Sequence, residues 1–169
     1  MRFLFIDRIL RLEPGSEAVI RKNVSNSEDF FTDHFAGRPV MPGCLVLETC
    51  DQAARLLLGA TVEFAALPSL TAVQNAKLQH FVQPGDCLDV RATLVSRTAA
   101  GAEVRTAASV GDQTIARVGL SYTFEPVDGN PEAARACARM RDFYRALTTD
   151  LASLAKTYGQ DGHQEGGRA

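Results

Sequence analysis

The sequence predicts an α+β fold in which a curved antiparallel sheet of about six strands wraps around one long central helix. Two observations lead to this prediction. A helical segment, 43–58, is apolar nearly all round in its first half, which is typical of a helix covered on more than one side. The half of the chain that follows consists of short strand-like runs separated by glycine-containing turns.

The predicted strands are bounded by turn residues such as Pro14-Gly15 and Pro84-Gly85. The first is rich in Phe, Leu and Ile and is expected to be buried on both faces. Gly59 is the expected C-terminal stop of the central helix. The strands are predicted at 3–12, 18–24, 70–82, 87–96, 103–110 and 114–124.

The C-terminal part of the chain changes character and predicts a separate amphipathic helix. Asn130 can cap this helix with Pro131 at its first position, and apolar residues then recur every three or four positions. The expected organisation is a domain over 1–126, a helix over 127–158 that packs on the sheet or on a partner subunit, and a disordered tail over 159–169.

Composition is that of an ordinary globular protein of 169 residues, with 46% hydrophobic and 22% charged residues. A net charge of −2 and a pI near 5.9 provide no overall attraction to nucleic acid or to an anionic membrane. The apolar N-terminal run is too short for a signal peptide or a membrane span. These features predict a cytoplasmic protein without nucleic-acid or membrane partners.

The four cysteines form neither a CxxC pair nor a cluster with histidine at metal-ligand spacing. They therefore favour a reducing compartment and predict no metal site. Two are expected in the core, Cys50 and Cys87.

Chemistry is concentrated in residues 34–48. His34 lies on a loop that contains two prolines and two glycines, and Glu48 lies in an apolar run of the helix that follows. Burial there is expected to keep the Glu48 carboxyl group protonated, with Asp51 neutralised by Arg55 one turn later. A histidine base and a carboxylic acid beside the N-terminus of a buried helix predict proton transfer on a carbonyl substrate.

This stretch resembles the motif of the β-hydroxyacyl-acyl carrier protein dehydratases of hot-dog fold, the FabZ/FabA group. The motif H-F-x-G-x-P-x-x-P-G-x-L-x-x-E fixes eight positions. Segments 3–8 and 76–86 also look like that family, so the resemblance covers about 3–125 and leaves the C-terminal helix outside. Ala36 departs from it, since proline is usual there. The matching residues are His34, Phe35, Gly37, Pro39, Pro42, Gly43, Leu45 and Glu48.

The resemblance implies removal of water from a 3-hydroxyacyl chain carried on acyl carrier protein, giving the trans-2-enoyl thioester in fatty acid or related polyene or polyketide synthesis. His34 would be the base and Glu48 the acid, each from a different subunit of a homodimer, with Gln52 orienting Glu48. The first free helical amides, at Gly43 and Cys44 after Pro42, would hold the thioester oxygen. No metal and no organic cofactor is implied.

Several alternatives stay open at this point. Glutamate at the acid position is usual for members that only dehydrate, whereas Met41–Leu45 looks more like members that also isomerise the double bond. A hot-dog thioesterase is a second enzyme hypothesis. A third is a catalytically idle acyl-binding subunit, or a partner that completes a mixed oligomer. Chain length, carrier protein versus coenzyme A, and assembly beyond the dimer are left undetermined.

Overall fold

The computed structural model describes residues 4–35 and 37–158, with side chains given except at residue 33 and at 149–158. Six strands form one antiparallel sheet in the order β1-β2-β4-β5-β6-β3. The strands are β1 (Arg8–Glu13), β2 (Glu17–Asn23), β3 (Ala66–Leu78), β4 (Cys87–Arg97), β5 (Gly101–Val110) and β6 (Gln113–Pro126), and the helices are α1 (Phe30–Asp33), α2 (Gly43–Thr61) and α3 (Pro131–Tyr158).

The sheet curves around α2, and the core lies between them. Helix α2 contacts β2, β3, β4, β5 and β6. Its inward side chains, such as Leu57 and Leu58, are fully buried against sheet residues such as Ile20, Val90 and Leu120. Alternation of buried and exposed positions along β4, β5 and β6 directs one face of the sheet at the helix. The predicted sheet wrapped around a central helix, the hot-dog arrangement, is therefore confirmed.

Helix α2 continues past the predicted stop. It runs through Gly59 to Thr61, so the prediction that Gly59 ends the helix is wrong. The glycine serves packing instead, because a Cβ at this position would lie 2.7 Å from Met140 Cε and 2.9 Å from Phe64 Cε1. Its missing side chain is what allows α3 to approach α2 closely.

The two edges of the sheet differ from the predicted strands. Strand β1 begins only at Arg8 and is an edge strand with mostly exposed side chains. The prediction that the first strand is buried on both faces is therefore wrong. Strand β3 begins at Ala66, four residues before the predicted start, and continues through Pro68. Proline is tolerated there because β3 is the other edge of the sheet and pairs only with β6.

Helix α3 begins as its sequence predicts. The side chain of Asn130 accepts a hydrogen bond of 3.1 Å from the Ala133 amide, which caps the first turn. Ala133 and Cys137 are buried, and the helix packs against α2, β3 and β1. The predicted tail 159–169 lies outside the described residues.

The cysteines are all free, and only one of the two core predictions holds. Cys50 is buried, and burial raises the pKa of its thiol from 9.0 to about 11. Cys87 is exposed instead, because it is the first residue of β4 and lies on the outer face of the sheet. Within the described ranges, no helix is long and apolar enough to cross a membrane.

Candidate active site

His34 follows α1 directly, and its imidazole is held by the loop that it begins. Nδ1 lies 2.8 Å from the carbonyl oxygen of Val40. A carbonyl can only accept a hydrogen bond, so Nδ1 must carry the proton. In the neutral ring Nε2 is then left as an acceptor, which is the form a general base needs.

Backbone hydrogen bonds hold the loop on both sides of Val40, the residue whose carbonyl oxygen accepts from the imidazole. The Met41 amide donates to the Val82 carbonyl at 2.8 Å, and the Arg38 amide donates to the Phe35 carbonyl at 3.0 Å. Phe35 and Gly37 have positive φ angles of 61° and 82°. The second is favourable for glycine, whereas the first is unusual for an aromatic residue and marks a constrained loop.

The N-terminus of α2 presents backbone donors beside this loop. The amides of Leu45 and Val46 both bond the Pro42 carbonyl, at 2.9 and 3.2 Å. The preceding amides, at Gly43 and Cys44, donate to no group in the part of the chain that the structure describes. Free amides at a helix N-terminus can bind a partly negative oxygen.

A cavity of about 280 Å³ connects the histidine to the start of the helix. Gly43 borders it, and a Cβ there would lie 2.6 Å from Leu78 Cδ2, which lines the same cavity. The rest of the lining is mostly apolar, which suits an acyl chain. The lining includes His34, Val40, Met41, Gly43, Val46, Leu78, His80 and Phe81.

Within one protomer, Glu48 lies outside the cavity that contains His34. It does not line the cavity that contains His34, and it is exposed, so the prediction that it is buried is wrong for one protomer. The physical reason is the orientation of the helix: the sheet covers the opposite face of α2, where Val46 and Cys50 are buried.

Gln52 holds the Glu48 carboxylate in place. Its amide nitrogen donates to Glu48 Oε1 at 2.8 Å, and its amide oxygen accepts from the Phe5 backbone N–H at 2.8 Å. Because the Phe5 amide can only donate, this contact fixes which end of Gln52 faces Glu48. The glutamine and the glutamate are thus one connected unit on α2.

Asp51 forms the predicted pair with Arg55 and a second contact that the sequence did not reveal. Arg55 Nε lies 2.7 Å from Asp51 Oδ2, and the Tyr122 hydroxyl donates to Asp51 Oδ1 at 2.7 Å. Burial, reinforced by the Asp51 charge, raises the pKa of Tyr122 well above its usual range. The pattern of β6 predicts an inward-facing Tyr122, but sequence spacing cannot identify its partner across the core.

The rim of the cavity is apolar and solvent-exposed. Phe35 and Phe81 are 62% and 65% exposed, and the stretch 71–81 of β3 and the following loop is exposed throughout. Arg38 lies over the Phe81 ring, 5.6 Å from its centre. His80 follows β3 and lines the cavity. Among the described residues, no group of three or more potential metal ligands occurs together.

Comparison with known families agrees with this geometry. A family model described as a FabA-like domain matches residues 1–119. That range contains the loop, α2 and all of the cavity lining, and it ends before α3.

Two curated relatives align with most of this chain. A 3-hydroxyacyl-[acyl-carrier-protein] dehydratase FabZ from Pediococcus pentosaceus is 38% identical over 126 residues, covering 74% of this chain and 85% of the relative. The protein of the same name from Chlamydia trachomatis is 38% identical over 124 residues, covering 71% and 81%.

A solved structure supports the fold at low sequence identity. The protein smu.793 from Streptococcus mutans, bound to acetyl CoA, aligns with a TM-score of 0.60 at 14% identity, covering 75% of this chain and 94% of that one.

Proposed function

This chain belongs to the FabA-like family, and from that premise we propose that it is a 3-hydroxyacyl-[acyl carrier protein] dehydratase of fatty acid synthesis. The observation that carries the proposal is the hydrogen bond from His34 Nδ1 to the Val40 carbonyl. It leaves an unprotonated nitrogen as base in an apolar cavity that also borders the free N-terminus of α2.

In the proposed reaction His34 Nε2 removes a proton from C2 of the 3-hydroxyacyl thioester. The C2–H electron pair forms the C2–C3 double bond as the C3–O bond breaks. Glu48 protonates the leaving hydroxyl group, so water and the trans-2-enoyl thioester are the products. No oxidant, metal or organic cofactor is needed to balance this step.

The thioester carbonyl oxygen gains negative charge while the C2 proton is removed. The unpaired amides of Gly43 and Cys44 support this part of the proposal, since preorganised donors stabilise charge that develops in the transition state. Pro42 contributes by placing its carbonyl as the first acceptor of the helix, which leaves those two amides outside the helical bonding.

The separation of His34 from Glu48 within one chain supports a homodimer with shared active sites. Histidine from one protomer and Glu48, oriented by Gln52, from the other would act on the same thioester. The partner subunit would then also cover Glu48 and exclude water from it, which a protonated acid requires.

The edge strand β3 supports the same assembly. It is an unpaired edge of 13 residues whose exposed apolar side chains include Val73 and Leu78. Such an edge is a template for pairing with another strand. Two copies paired through β3 about a twofold axis would join their sheets and bring each cavity to the partner.

The partner that delivers substrate is proposed to be acyl carrier protein bearing a 3-hydroxyacyl chain, as the names of the relatives state for them. Glutamate at the acid position favours dehydration without isomerisation, and we include this in the proposal. A cytoplasmic location is part of the same proposal.

Two inactive variants test the shared site directly. His34→Ala and Glu48→Gln are each expected to abolish formation of enoyl thioester from a 3-hydroxyacyl carrier protein while leaving the oligomer intact in size-exclusion chromatography. Unfolding the two variants together and refolding them as a mixture should restore about a quarter of wild-type activity, because half of the dimers are mixed and each has one intact site.

Each other outcome identifies an alternative. No recovery on mixing would contradict the shared site, and retained activity in either variant would remove the assignment of roles. Release of free thiol from an acyl thioester by the wild-type protein would indicate a thioesterase. No turnover by the wild-type chain alone would favour an idle or mixed-oligomer subunit.

A further inference from the structure

A second cleft lies under α3, the helix that follows the segment matched by the family model. Its floor is the outer face of α2 at Arg55 and Leu56, and its roof is α3 at Arg139, Met140 and Phe143. The volume is about 200 Å³. Because helix α3 forms one wall, the cleft is a property of this chain rather than of the matched domain.

The lining combines an apolar interior with two cations. Leu56 and Ile6 are buried, and Met140 and Phe143 close the same space from above. No aspartate or glutamate is among the described side chains that line the cleft. An apolar surface of this kind binds hydrocarbon, whereas a pair of guanidinium groups at its border selects against a cationic ligand.

Both guanidinium groups keep N–H donors that no described group of the protein accepts. Arg139 forms no ion pair within the described part of the chain. Arg55 uses its Nε in the ion pair with Asp51, and its two terminal nitrogens have no described partner. A guanidinium group has five N–H donors in a planar fork, so both side chains retain donors for a carboxylate.

We propose that this cleft binds a medium-chain aliphatic carboxylate, with its chain among the apolar side chains and its carboxylate at Arg139 and Arg55. A cavity of roughly 150 Å³ holds a benzene molecule, so about 200 Å³ suits a chain of about eight carbons. Gln52, which contacts Glu48, also lines the cleft, but the proposal does not rest on the dehydratase assignment, because neither arginine belongs to the proposed catalytic machinery.

The methionine content of the chain provides a direct test. Of its three methionines, Met140 lines this cleft, Met41 lines the cavity that contains His34, and Met1 is the first residue. Methyl-¹³C labelling therefore gives separate NMR reporters for the two cavities, assigned with Met41→Leu and Met140→Leu. Octanoate is expected to shift the Met140 signal saturably at lower concentration than octanol, and octylamine is expected to leave it unchanged.

Matched variants on one helix separate charge from general effects. Arg139→Ala should weaken octanoate binding at Met140 at least tenfold, since a charge-assisted contact is removed. Arg141→Ala removes an exposed arginine that does not line the cleft and should bind as the wild type does. Ala136→Phe, which fills the cleft, should abolish the shift.

Three results would overturn the proposal. These are no Met140 shift at millimolar octanoate, a shift confined to Met41, or equal binding by the Arg139→Ala and Arg141→Ala proteins. Dehydration by Arg139→Ala is expected to equal that of the wild type, so failure of this proposal and failure of the proposed function are distinguishable.

Discussion

Glu48 and Asp51 lie one turn apart on the same helix, yet their surroundings are opposite. Glu48 is exposed and has a single described hydrogen-bond donor, Gln52. Asp51 is 5% exposed and is held by a tyrosine hydroxyl and a guanidinium group. A carboxylate whose bonding is complete within the chain stabilises the fold, whereas one that is left accessible can serve chemistry.

The same contrast extends along α2. At its N-terminus the Gly43 and Cys44 amides are unpaired and the preceding loop has positive φ angles. In the following turns the inward face is closed by the sheet. We therefore expect substitutions at the first region to reduce activity and substitutions at the second to reduce stability.

The largest effect is expected at Glu48. Glu48→Gln should lower kcat by about 10²–10⁴-fold, the usual contribution of a general acid. Its melting temperature should equal that of the wild type, because the amide oxygen of glutamine can accept the same hydrogen bond from Gln52. Glu63→Gln, an exposed glutamate beyond the end of α2, is the matched control and should change neither quantity. A large loss of stability in Glu48→Gln would contradict the contrast.

At Tyr122 we expect the opposite result, a loss of stability with little change in kcat. Tyr122→Phe removes the donor to buried Asp51 Oδ1 and should lower the free energy of unfolding by about 1–3 kcal/mol, measured by urea denaturation. Tyr144→Phe, on half-buried α3, should change it by less than about 0.5 kcal/mol. At temperatures where Tyr122→Phe stays folded, its kcat should remain near the wild-type value.

Stability is also expected to fall at alkaline pH. The pKa of Cys50 in the folded protein is about 11, above its ordinary 9.0, so above pH 9 the unfolded chain loses this proton first. The folded state is then disfavoured progressively as pH rises from 9 to 11. Cys50→Ala should remove the Cys50 share of this loss between pH 9 and about 11, while the raised pKa values of Cys137 and Tyr122 continue to act. An unchanged pH profile would show that the Cys50 thiol is not desolvated.

The smallest overall effect of these predictions is expected at Gly43. Gly43→Ala places a methyl group 2.6 Å from the position of Leu78 Cδ2, but that side chain is 43% exposed and can rotate away. The free energy of unfolding should change by less than about 1 kcal/mol, since alanine also favours the helix. Because Leu78 lines the cavity, KM for the acyl thioester should rise, which steady-state kinetics would measure. A fall in stability without a change in KM would contradict this expectation.

Most of the fold could be predicted because it depends on local patterns. Alternation specified β4, β5 and β6, and the apolar run after the glycine–proline loop specified α2. The ends of elements were less predictable. The prediction failed at Gly59 and before Leu70 because the deciding contacts, α3 against the glycine and the free edge of β3, are made by residues distant in sequence.

In the candidate site, too, features made by neighbouring residues could be predicted, whereas contacts between distant residues could not. The residues of the loop and helix N-terminus are contiguous, so the sequence could identify them together. Burial of Glu48 could not be judged, because apolar neighbours along a helix do not determine which face the sheet covers. The Tyr122 contact was invisible for a related reason, since it joins positions 71 residues apart.

The packing at Gly59 predicts a pattern that can be tested by comparing sequences alone. A side chain at this position would force Met140 and Phe64 to move, so a bulkier residue should weaken the docking of a C-terminal helix in this manner. Across dehydratase-like chains, glycine here should therefore co-occur with an amphipathic extension after the last strand, and chains that end at that strand should vary more at the position.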